Sequence, residues 1–312
     1  MTFNDINELA KKKIPFLFIS DFKAQNIKLI PLDKLEEEDI SFEISNVIHT
    51  QQQEHFLKKQ PASFEKYKKK FDLVKEEIKS GNTYLLNLTQ ETPIETDLNL
   101  KQIYKTVNAK YKLRYKDEFV CFSPEIFVKI KDNKIHTYPM KGTIDSSLKN
   151  AKETILKDKK EMAEHIMVVD LLRNDLSIKA KNVQVEAFRY VEEIQAGSKN
   201  LLQVSSHISG DLQSNWHEEL GSILQTLLPA GSISGAPKKS TLEIIESIED
   251  YDREFFSGVF GVYDGESFDS GVMIRFIQNK HSELVYKSGG GITLDSNAYQ
   301  EYQEMLDKVY LP

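Results

Sequence analysis

The stretch EIFVKIKDNKIHTYPM, residues 125–140, decides what kind of sheet this chain builds. Its middle, KDNK (131–134), has the composition of a tight hairpin turn between two strand-like runs, and strands joined in this way are antiparallel. Further strand-like runs are EFVCFS (118–123) and LLQVSSHISGDL (201–212), and helical segments such as KKEMAEHIMVVDLLRNDL (159–176) lie between the strands. No βαβ unit repeats, so the sequence predicts an α+β fold of antiparallel sheets flanked by helices.

The flanking segments extend this pattern. Apolar residues recur at helical spacing in SFEKYKKKFDLVKEEIKS (63–80), which predicts an amphipathic helix that ends before Gly81 and has a solvated lysine face. Asp295 or Ser296 is the expected cap of a last helix. Other predicted strands are PFLFISDF (15–22), NIKLIPL (26–32), NTYLLNLTQETPI (82–94), EFFSGVFGVYDG (254–265), FDSGVMIRFIQN (268–279) and ELVYKSGGGITL (283–294).

Length and composition limit the class of protein. The 312 residues are 40% hydrophobic and carry a net charge of -7, which is typical of a globular protein and disfavours a nucleic-acid partner. A single cysteine and the lack of a signal-peptide pattern predict a reduced, cytoplasmic location, and we expect no membrane span. We expect a short amino-terminal segment (1–60) packed on one catalytic domain (61–312); HTQQQEHFLKKQPAS (49–63) is a linker or an ordered loop.

Two pairs of glutamates are candidate metal ligands. Glu161 and Glu164 are three residues apart in one predicted helix, and Glu301 and Glu304 have the same spacing in another. Residues at this spacing share a helix face, so each pair presents two carboxylates together. One pair alone is typical of a solvated helix face. Two pairs could instead hold Mg²⁺, which prefers oxygen ligands and keeps several waters.

Glycine-rich segments point to an anionic ligand. LLPAGSISGAPKK (227–239) leads into a predicted helix, and backbone N–H groups at such a place can bind phosphate or carboxylate, although the Walker A spacing is absent. SGGGITLDS (288–296) is a second glycine-rich approach. Arg275 lies inside an apolar run, where a structural salt bridge or a bound anion would be its partner. These features favour a small polyanionic ligand held partly through a metal.

The ordered series of motifs resembles that of the chorismate-utilising enzymes, a family that includes anthranilate, isochorismate, salicylate and aminodeoxychorismate synthases. The resemblance covers roughly residues 80–312 and rests on SPEIFV, YPMKGT, EHIMVVDLLRNDL, LLPAGSISGAPK, GVFGVYDG, IRF, and GGGITLDS followed by EYQEMLDK. It implies antiparallel sheets flanked by helices, with chorismate and Mg²⁺ in a cleft.

The resemblance also implies roles for individual residues. Glu164 and Glu304 match direct Mg²⁺ ligands, and Glu161 and Glu301 match carboxylates that reach the ion through water. Glu125 matches the carboxyl group that acts as acid and base. The positions that match substrate-binding residues are Ser234, Tyr263, Arg275, Gly289, Gly290, Gly291 and Lys308.

Lys141 and Leu85 indicate the reaction. Where anthranilate synthases have Pro-x-Ala-Gly-Thr, this chain has PMKGT (139–143), as aminodeoxychorismate synthases do. That resemblance implies that the Lys141 amine attacks C2 of the ring while the C4 hydroxyl leaves, and that ammonia then adds at C4. Isochorismate and salicylate synthases have a lysine at the position of Leu85 to activate water, which an apolar side chain cannot do.

The chain departs from the family's pattern at two positions and has no candidate glutaminase cysteine. Gln203 stands where many relatives have histidine, and Phe276 replaces the threonine of the usual IRT motif. Cys121, the single cysteine, lies in a strand-like run and not in a nucleophile turn, so it is not a candidate glutaminase residue. We therefore expect ammonia from a separate glutamine amidotransferase. The predicted activity is an aminodeoxychorismate synthase component for 4-aminobenzoate and folate synthesis; the alternatives are anthranilate synthase and a catalytically silent chorismate-binding subunit.

Overall fold

The computed structural model describes residues 1–45, 55–196 and 199–311. Its contacts group into two compact units, each built from three separate parts of the chain. The first unit contains Met1–Glu37, Pro124–Ser232 and Ser257–Val272, and the second contains Glu38–Ser123, Ile233–Phe256 and Met273–Pro312. The division expected near residue 60 stays a prediction. Residues 49–54 of the possible linker lie outside the described residues.

A nine-stranded antiparallel sheet forms the centre of the first unit. Its order is β10-β12-β9-β8-β15-β14-β1-β2, and β11 pairs with β12. The strands are β1 (Phe16–Ser20), β2 (Ile27–Pro31), β8 (Ile126–Lys131), β9 (Lys134–Thr137), β10 (Met140–Asp145), β11 (Lys181–Ala196), β12 (Lys199–Asp211), β14 (Val259–Tyr263) and β15 (Phe268–Val272).

The second unit has an eight-stranded sheet, which is also antiparallel. Its order is β13-β5-β17-β16-β7-β6-β3, and β4 pairs with β5. The strands are β3 (Ile40–Ile44), β4 (Leu57–Lys59), β5 (Leu85–Thr96), β6 (Tyr111–Tyr115), β7 (Phe119–Ser123), β13 (Gly235–Ala236), β16 (Phe276–Lys280) and β17 (Glu283–Ile292). The two sheets confirm the predicted fold class.

Helices accompany both sheets. The first unit has α1 (Phe3–Lys11), α4 (Ala151–Lys157), α5 (Lys159–Ser177) and α6 (Leu220–Leu227). The second has α2 (Phe64–Lys79), α3 (Leu100–Thr106), α8 (Lys238–Ile248) and α9 (Ala298–Asp307). The helical turn α7 (Gly231–Ser234) begins in the first unit and ends in the second, and short 3-10 turns lie at Leu32–Lys34 and Trp216–Glu219.

Several local predictions are confirmed. The hairpin between β8 and β9 turns at Asp132 and Asn133, whose φ angles of 51° and 58° suit a tight two-residue turn. Helix α2 buries Tyr67, Phe71, Val74 and Ile78, its hydrophobic stripe. Gly81 follows it with φ +77°, the left-handed conformation that favours glycine at a helix end.

Other predictions need correction. The run 268–279 is not one strand: it breaks at Met273–Arg275 into β15 of one sheet and β16 of the other. Helix α9 is capped by Asn297, whose Oδ1 accepts from the N–H groups of Tyr299 and Gln300, because neither Asp295 nor Ser296 directly precedes the first turn. The Lys70 side chain is only 12% exposed and pairs with Asp250. The helices that were not predicted are α1, α3 and α4, and the strands that were not predicted are β3, β4, β6, β10, β11 and β13.

Candidate active site

Lys141 lies in a β-bulge of the first unit. Met140 pairs with Ser205 and Thr143 with Gln203, so two residues of β10, Lys141 and Gly142, face one residue of β12. A bulge of this kind bends the strand and changes the direction of a side chain. Gly142 has φ +86°, and a Cβ atom added to it would lie 3.2 Å from Glu161 Oε2. Glycine at this position therefore lets the Glu161 carboxylate approach the backbone beside the half-buried Lys141.

Helix α5 carries both predicted metal ligands of this unit. It is capped by Asp158, whose Oδ1 accepts from the N–H of Glu161 at 3.0 Å. One turn on, Glu164 is buried, and its Oε1 lies 3.8 Å from the Lys160 ammonium. The pair is thus held on one well-anchored turn, and the burial of Glu164 is unusual for a solvated helix face.

Glu125 directly precedes β8. Because β8 and β9 are antiparallel, the start of β8 lies beside the end of β9, where the chain continues into β10. Pairing of β8 with β9 at Lys129 and His136 is continued by a hydrogen bond from Thr137 Oγ1 to the Phe127 carbonyl at 2.9 Å. If the same register continues residue by residue, Glu125 falls opposite Met140, the first residue of β10 and the neighbour of Lys141 in sequence. The Ser232 hydroxyl donates to Glu125 Oε1, so a serine of the glycine-rich loop orients the predicted acid.

The structure does not bring Tyr263 together with these residues. Tyr263 pairs with Phe268 at one end of β15, whereas Val272, at the other end, donates its N–H to the Glu125 carbonyl at 3.1 Å. The two ends are four residue steps apart along the strand, about 13 Å. The buried Tyr263 hydroxyl bonds to His217 Nδ1 and to the carbonyls of Ala10 and Gly265. Its geometry is that of a core tyrosine, and the substrate role expected from the sequence stays a prediction.

In the second unit, the glycine strand lies against α9. A Cβ atom added to Gly290 would lie 3.5 Å from Glu301 Oε2, 3.9 Å from Glu304 Oε1 and 3.8 Å from Lys308 Nζ. The Lys308 ammonium donates to the Gly289 carbonyl at 2.9 Å and pairs with Glu304 at 2.8 Å. The structure therefore groups the second pair of glutamates with Lys308, Gly289 and Gly290, and Gly291 follows these glycines in β17.

Arg275 directly precedes β16, the strand that pairs with the glycine strand β17. Phe276, the first residue of β16, pairs with Lys287, two residues before Gly289. In the parts of the chain that the structure describes, the Arg275 guanidinium makes no salt bridge and lies over the Tyr310 ring at 5.1 Å. The structural salt bridge considered from the sequence is therefore absent among these residues, which leaves the guanidinium available for an anionic ligand.

Ser234 is fully buried and is positioned by a network that sequence reasoning missed. Asn87, which pairs with Gly291, donates to the Ile233 carbonyl at 3.1 Å. Arg253 donates to the same carbonyl at 3.1 Å and forms a buried ion pair with Glu249 at 2.7 Å. The four-residue spacing of Glu249 and Arg253 was the available signal, but spacing alone does not distinguish a buried pair from an exposed one.

His165 was also missed. It is buried on α5, and its Nε2 lies 2.6 Å from Ser206 Oγ, which accepts from the Arg189 N–H at 2.9 Å. Burial lowers the pKa of His165 to about 4, and the charges of Arg189 and Lys141 act in the same direction. The imidazole is therefore neutral near pH 7, and this hydrogen-bonded group fixes α5 against β12.

Lys287 is a third residue that sequence reasoning missed. Its ammonium is fully buried under β17, donates to the carbonyls of Asp252 and Arg253 at 3.3 and 3.1 Å, and lies 3.7 Å from Glu91 Oε1. Burial lowers its pKa to about 8, while the charge of Glu91 opposes that shift. Lys287 thus ties the loop after α8 to the strand that carries the glycines.

Lys287 predicts a pH dependence of stability. Because its pKa is about 8 in the folded chain and about 10.4 in an unfolded one, the unfolded state binds more protons between these values. The contribution of this residue to the free energy of unfolding should therefore rise with pH, by about 2 kcal/mol from pH 7.5 to 9.5. Urea unfolding of the parent and of Lys287→Met at both pH values measures this difference. The exposed-site variant Lys105→Met should show the parent's dependence; an equal slope in Lys287→Met would contradict the assignment.

No three His, Cys, Asp or Glu side chains in residues 1–45, 55–196 and 199–311 converge as a ready-made metal centre. Within the same ranges, no helix has the length and apolar character needed to cross a bilayer. The carboxylate pairs do match the hard oxygen donors that Mg²⁺ uses, since this ion often takes only one or two protein carboxylates.

Two proteins of similar sequence indicate the family of this chain. An uncharacterized PabA-like protein of Pasteurella multocida is 48% identical over 312 residues, covering 98% of this chain and 96% of its own. Aminodeoxychorismate synthase component 1 of Bacillus subtilis is 30% identical over 252 residues, which are 76% of this chain and 52% of that protein. The chain therefore spans about half the length of this second relative.

Solved structures show the same fold. The isochorismate synthase DhbC of Bacillus anthracis superposes with a TM-score of 0.73 at 18% identity, over 98% of this chain and 88% of that one. Anthranilate synthase component I of Streptococcus pneumoniae gives 0.69 at 24% identity, over 91% and 69%. Residues 16–311 match the family described as chorismate binding enzyme, and the chain belongs to that family.

Proposed function

We propose that this chain is an aminodeoxychorismate synthase component, which converts chorismate and ammonia to 4-amino-4-deoxychorismate and water. The observation that carries the proposal is Lys141, in PMKGT on the β10 bulge, beside a glycine that admits the Glu161 carboxylate. Strand β5 carries no lysine at the position of the buried Leu85, which disfavours activation of water as the nucleophile.

In the proposed reaction, the Lys141 amine forms a bond to C2 of the ring, the double bond shifts, and the C4 hydroxyl leaves. Glu125 supplies the proton that converts the departing hydroxide to water, and the Ser232 hydroxyl holds its carboxyl group in place. Ammonia then adds at C4 and the electrons return to expel the lysine. The enolpyruvyl group is retained, and Glu125 recovers its proton from the incoming amine.

Binding of chorismate is assigned to the remaining residues. We propose that Arg275 and Lys308 neutralise its carboxylates and that Ser234 and the N–H groups of Gly289, Gly290 and Gly291 supply hydrogen bonds. Glu164 and Glu304 would hold Mg²⁺ directly, and Glu161 and Glu301 through water. When bound, this ion neutralises a substrate carboxylate, a charge that the glutamates alone would repel.

Ammonia is proposed to come from a glutamine amidotransferase partner. The one cysteine, Cys121, is fully buried in β7, and burial raises the pKa of its thiol, so it is not a nucleophile for glutamine. The product would serve 4-aminobenzoate and folate synthesis. Aminodeoxychorismate synthase component 1 relatives at 30% identity support this reading.

Product analysis tests the proposal. The purified chain is incubated with chorismate, Mg²⁺ and ammonium chloride, and the products are separated by chromatography and identified by mass spectrometry. Aminodeoxychorismate is the expected product. Anthranilate with pyruvate would instead establish the sister activity. No product, with or without an added amidotransferase, would favour a silent chorismate-binding subunit.

A further inference from the structure

Two polar oxygens on β12 of the first unit are buried and have no hydrogen-bond partner among the described residues. Ser205 is 1% exposed, and its Oγ has no hydrogen-bond partner among the described residues. The Oε1 atom of the half-buried Gln203 is likewise buried and unpartnered within them. An unsatisfied buried oxygen destabilises a protein, so two of them in one place indicate a missing donor.

The two residues face the same side of β12. Side chains two residues apart in a strand share a face and are about 6.6 Å apart along it. Gln203 pairs with Thr143 and Ser205 with Met140, so they stand on either side of the residue that faces the Lys141 bulge. Because hydrogen bonds span about 3 Å, one small ligand between the two oxygens can contact both.

Strand β11 supplies one aromatic ring and a carboxylate, and Tyr138, between β9 and β10, supplies a second ring. On β11, Tyr190 pairs with Ser205 and Glu192 with Gln203. Burial raises the pKa of Tyr190 to about 12, and the charge of Glu192 and the nearby Tyr138 act in the same direction. Burial and the carboxylates Asp269 and Glu192 raise the pKa of Tyr138 as well.

This environment selects a small cationic donor. Carbonyl and hydroxyl oxygens accept hydrogen bonds, aromatic faces attract cations, and carboxylates disfavour anions. A water molecule could satisfy the two oxygens but would gain little from the rings or the carboxylate. An ammonium ion uses all three kinds of group, since it has four N–H donors and a positive charge.

We infer that Gln203 and Ser205 form a binding site for ammonium, the source of the amine in the proposed reaction. The role of the ion as the source of the amine rests on the proposed function, whereas its binding at this site does not. The bound ion loses one proton to solvent, and the resulting ammonia, next to the Lys141 bulge, forms the new C–N bond. Glutamine at position 203 then adapts the site to an amine. A histidine there would present an N–H donor, or a positive charge, to an ammonium ion that is itself a donor and positively charged.

The test measures how the rate depends on ammonium chloride at saturating chorismate. Gln203→Leu and Ser205→Ala each remove one acceptor and should raise the KM for ammonium about tenfold or more, with the KM for chorismate unchanged. Potassium, an ion of similar size, should compete with ammonium in the parent. The exposed-site variant Gln184→Leu, on β11, is the matched control and should behave as the parent.

A second measurement does not depend on turnover. Ammonium chloride should raise the thermal midpoint of the parent more than sodium chloride at equal ionic strength, and this difference should disappear in the double variant Gln203→Leu/Ser205→Ala. If the parent forms no aminated product but shows this stabilisation, the proposed function fails and the site remains. If both variants keep the parent KM for ammonium and the salt difference persists in the double variant, the two oxygens bind water only and the inference is overturned.

Discussion

Lys141→Ala is expected to lower the rate of aminodeoxychorismate formation by about 10³-fold or more, or to change the product. Removing a covalent nucleophile eliminates the pathway itself, and losses of this size are usual for such groups. Lys141 is half-buried on a bulge, next to Gly142, where an added Cβ atom would lie 3.2 Å from Glu161 Oε2. A merely solvated lysine is therefore a poor explanation. Initial rates with ammonium chloride, followed by product chromatography, measure the effect.

Intact-protein mass spectrometry gives a reading that does not depend on the rate. In chorismate and Mg²⁺ without ammonia, the parent should gain the mass of chorismate less one water, because the C4 hydroxyl leaves as Lys141 bonds to the ring. Lys141→Ala should gain nothing. Lys131→Ala, an exposed position at the end of β8, is the matched control and should retain the parent rate and the adduct. Unchanged product at an unchanged rate in Lys141→Ala would remove the nucleophile from the mechanism.

The sheet class could be predicted because local chemistry decides it. The Asp132–Asn133 turn adopts the positive φ angles that a two-residue hairpin requires, and the apolar stripe of α2 needs only local spacing. Strand β11 offered no such pattern: most of its described side chains are exposed, and its register against β12 shifts three times, so alternation is lost. It forms by pairing with β12, and the irregular register of that pairing is not visible in the residue types of β11.

Tertiary context also explains the break at Arg275. The run 268–279 is continuously strand-like, yet Arg275 adopts φ +51°, and the flanking strands join different sheets. Nothing in the residue types announces that change, because the conformation is unfavourable for arginine on its own. Arg275, a predicted ligand-binding residue, thus occupies the point at which the chain passes from β15 to β16.

For the candidate site, sequence motifs predicted which residues matter but not how they are supported. The two glutamate pairs, Lys308 and the glycines of β17 came from ordered motifs, and the structure groups them within their units. The buried Lys287 and the unpartnered oxygens of Gln203 and Ser205 depend on burial, which residue identity does not reveal. A lysine or glutamine is usually exposed, so the sequence alone favours the wrong reading for both.

Glu304→Gln is expected to raise the Mg²⁺ concentration for half-maximal activity at least about tenfold, in the range seen when a metal site is perturbed. The substitution keeps the shape of the side chain and removes the charge that a hard cation requires. The carboxylate lies one turn from Glu301, near Gly290 and 2.8 Å from the Lys308 ammonium. Rates over a Mg²⁺ titration measure the effect.

Manganese binding separates a metal role from a structural one. Because Mn²⁺ uses the same oxygen ligands, the fraction bound to the chain can be counted by electron paramagnetic resonance with chorismate absent. Glu304→Gln should bind Mn²⁺ more weakly than the parent, whereas Glu243→Gln, an exposed position on α8, should not differ from it. If Glu304→Gln kept both the Mn²⁺ affinity and the Mg²⁺ titration of the parent, its pairing with Lys308 would be its whole role. A shift in the Mg²⁺ titration with unchanged Mn²⁺ binding would instead mean that the ion reaches Glu304 only when chorismate is bound.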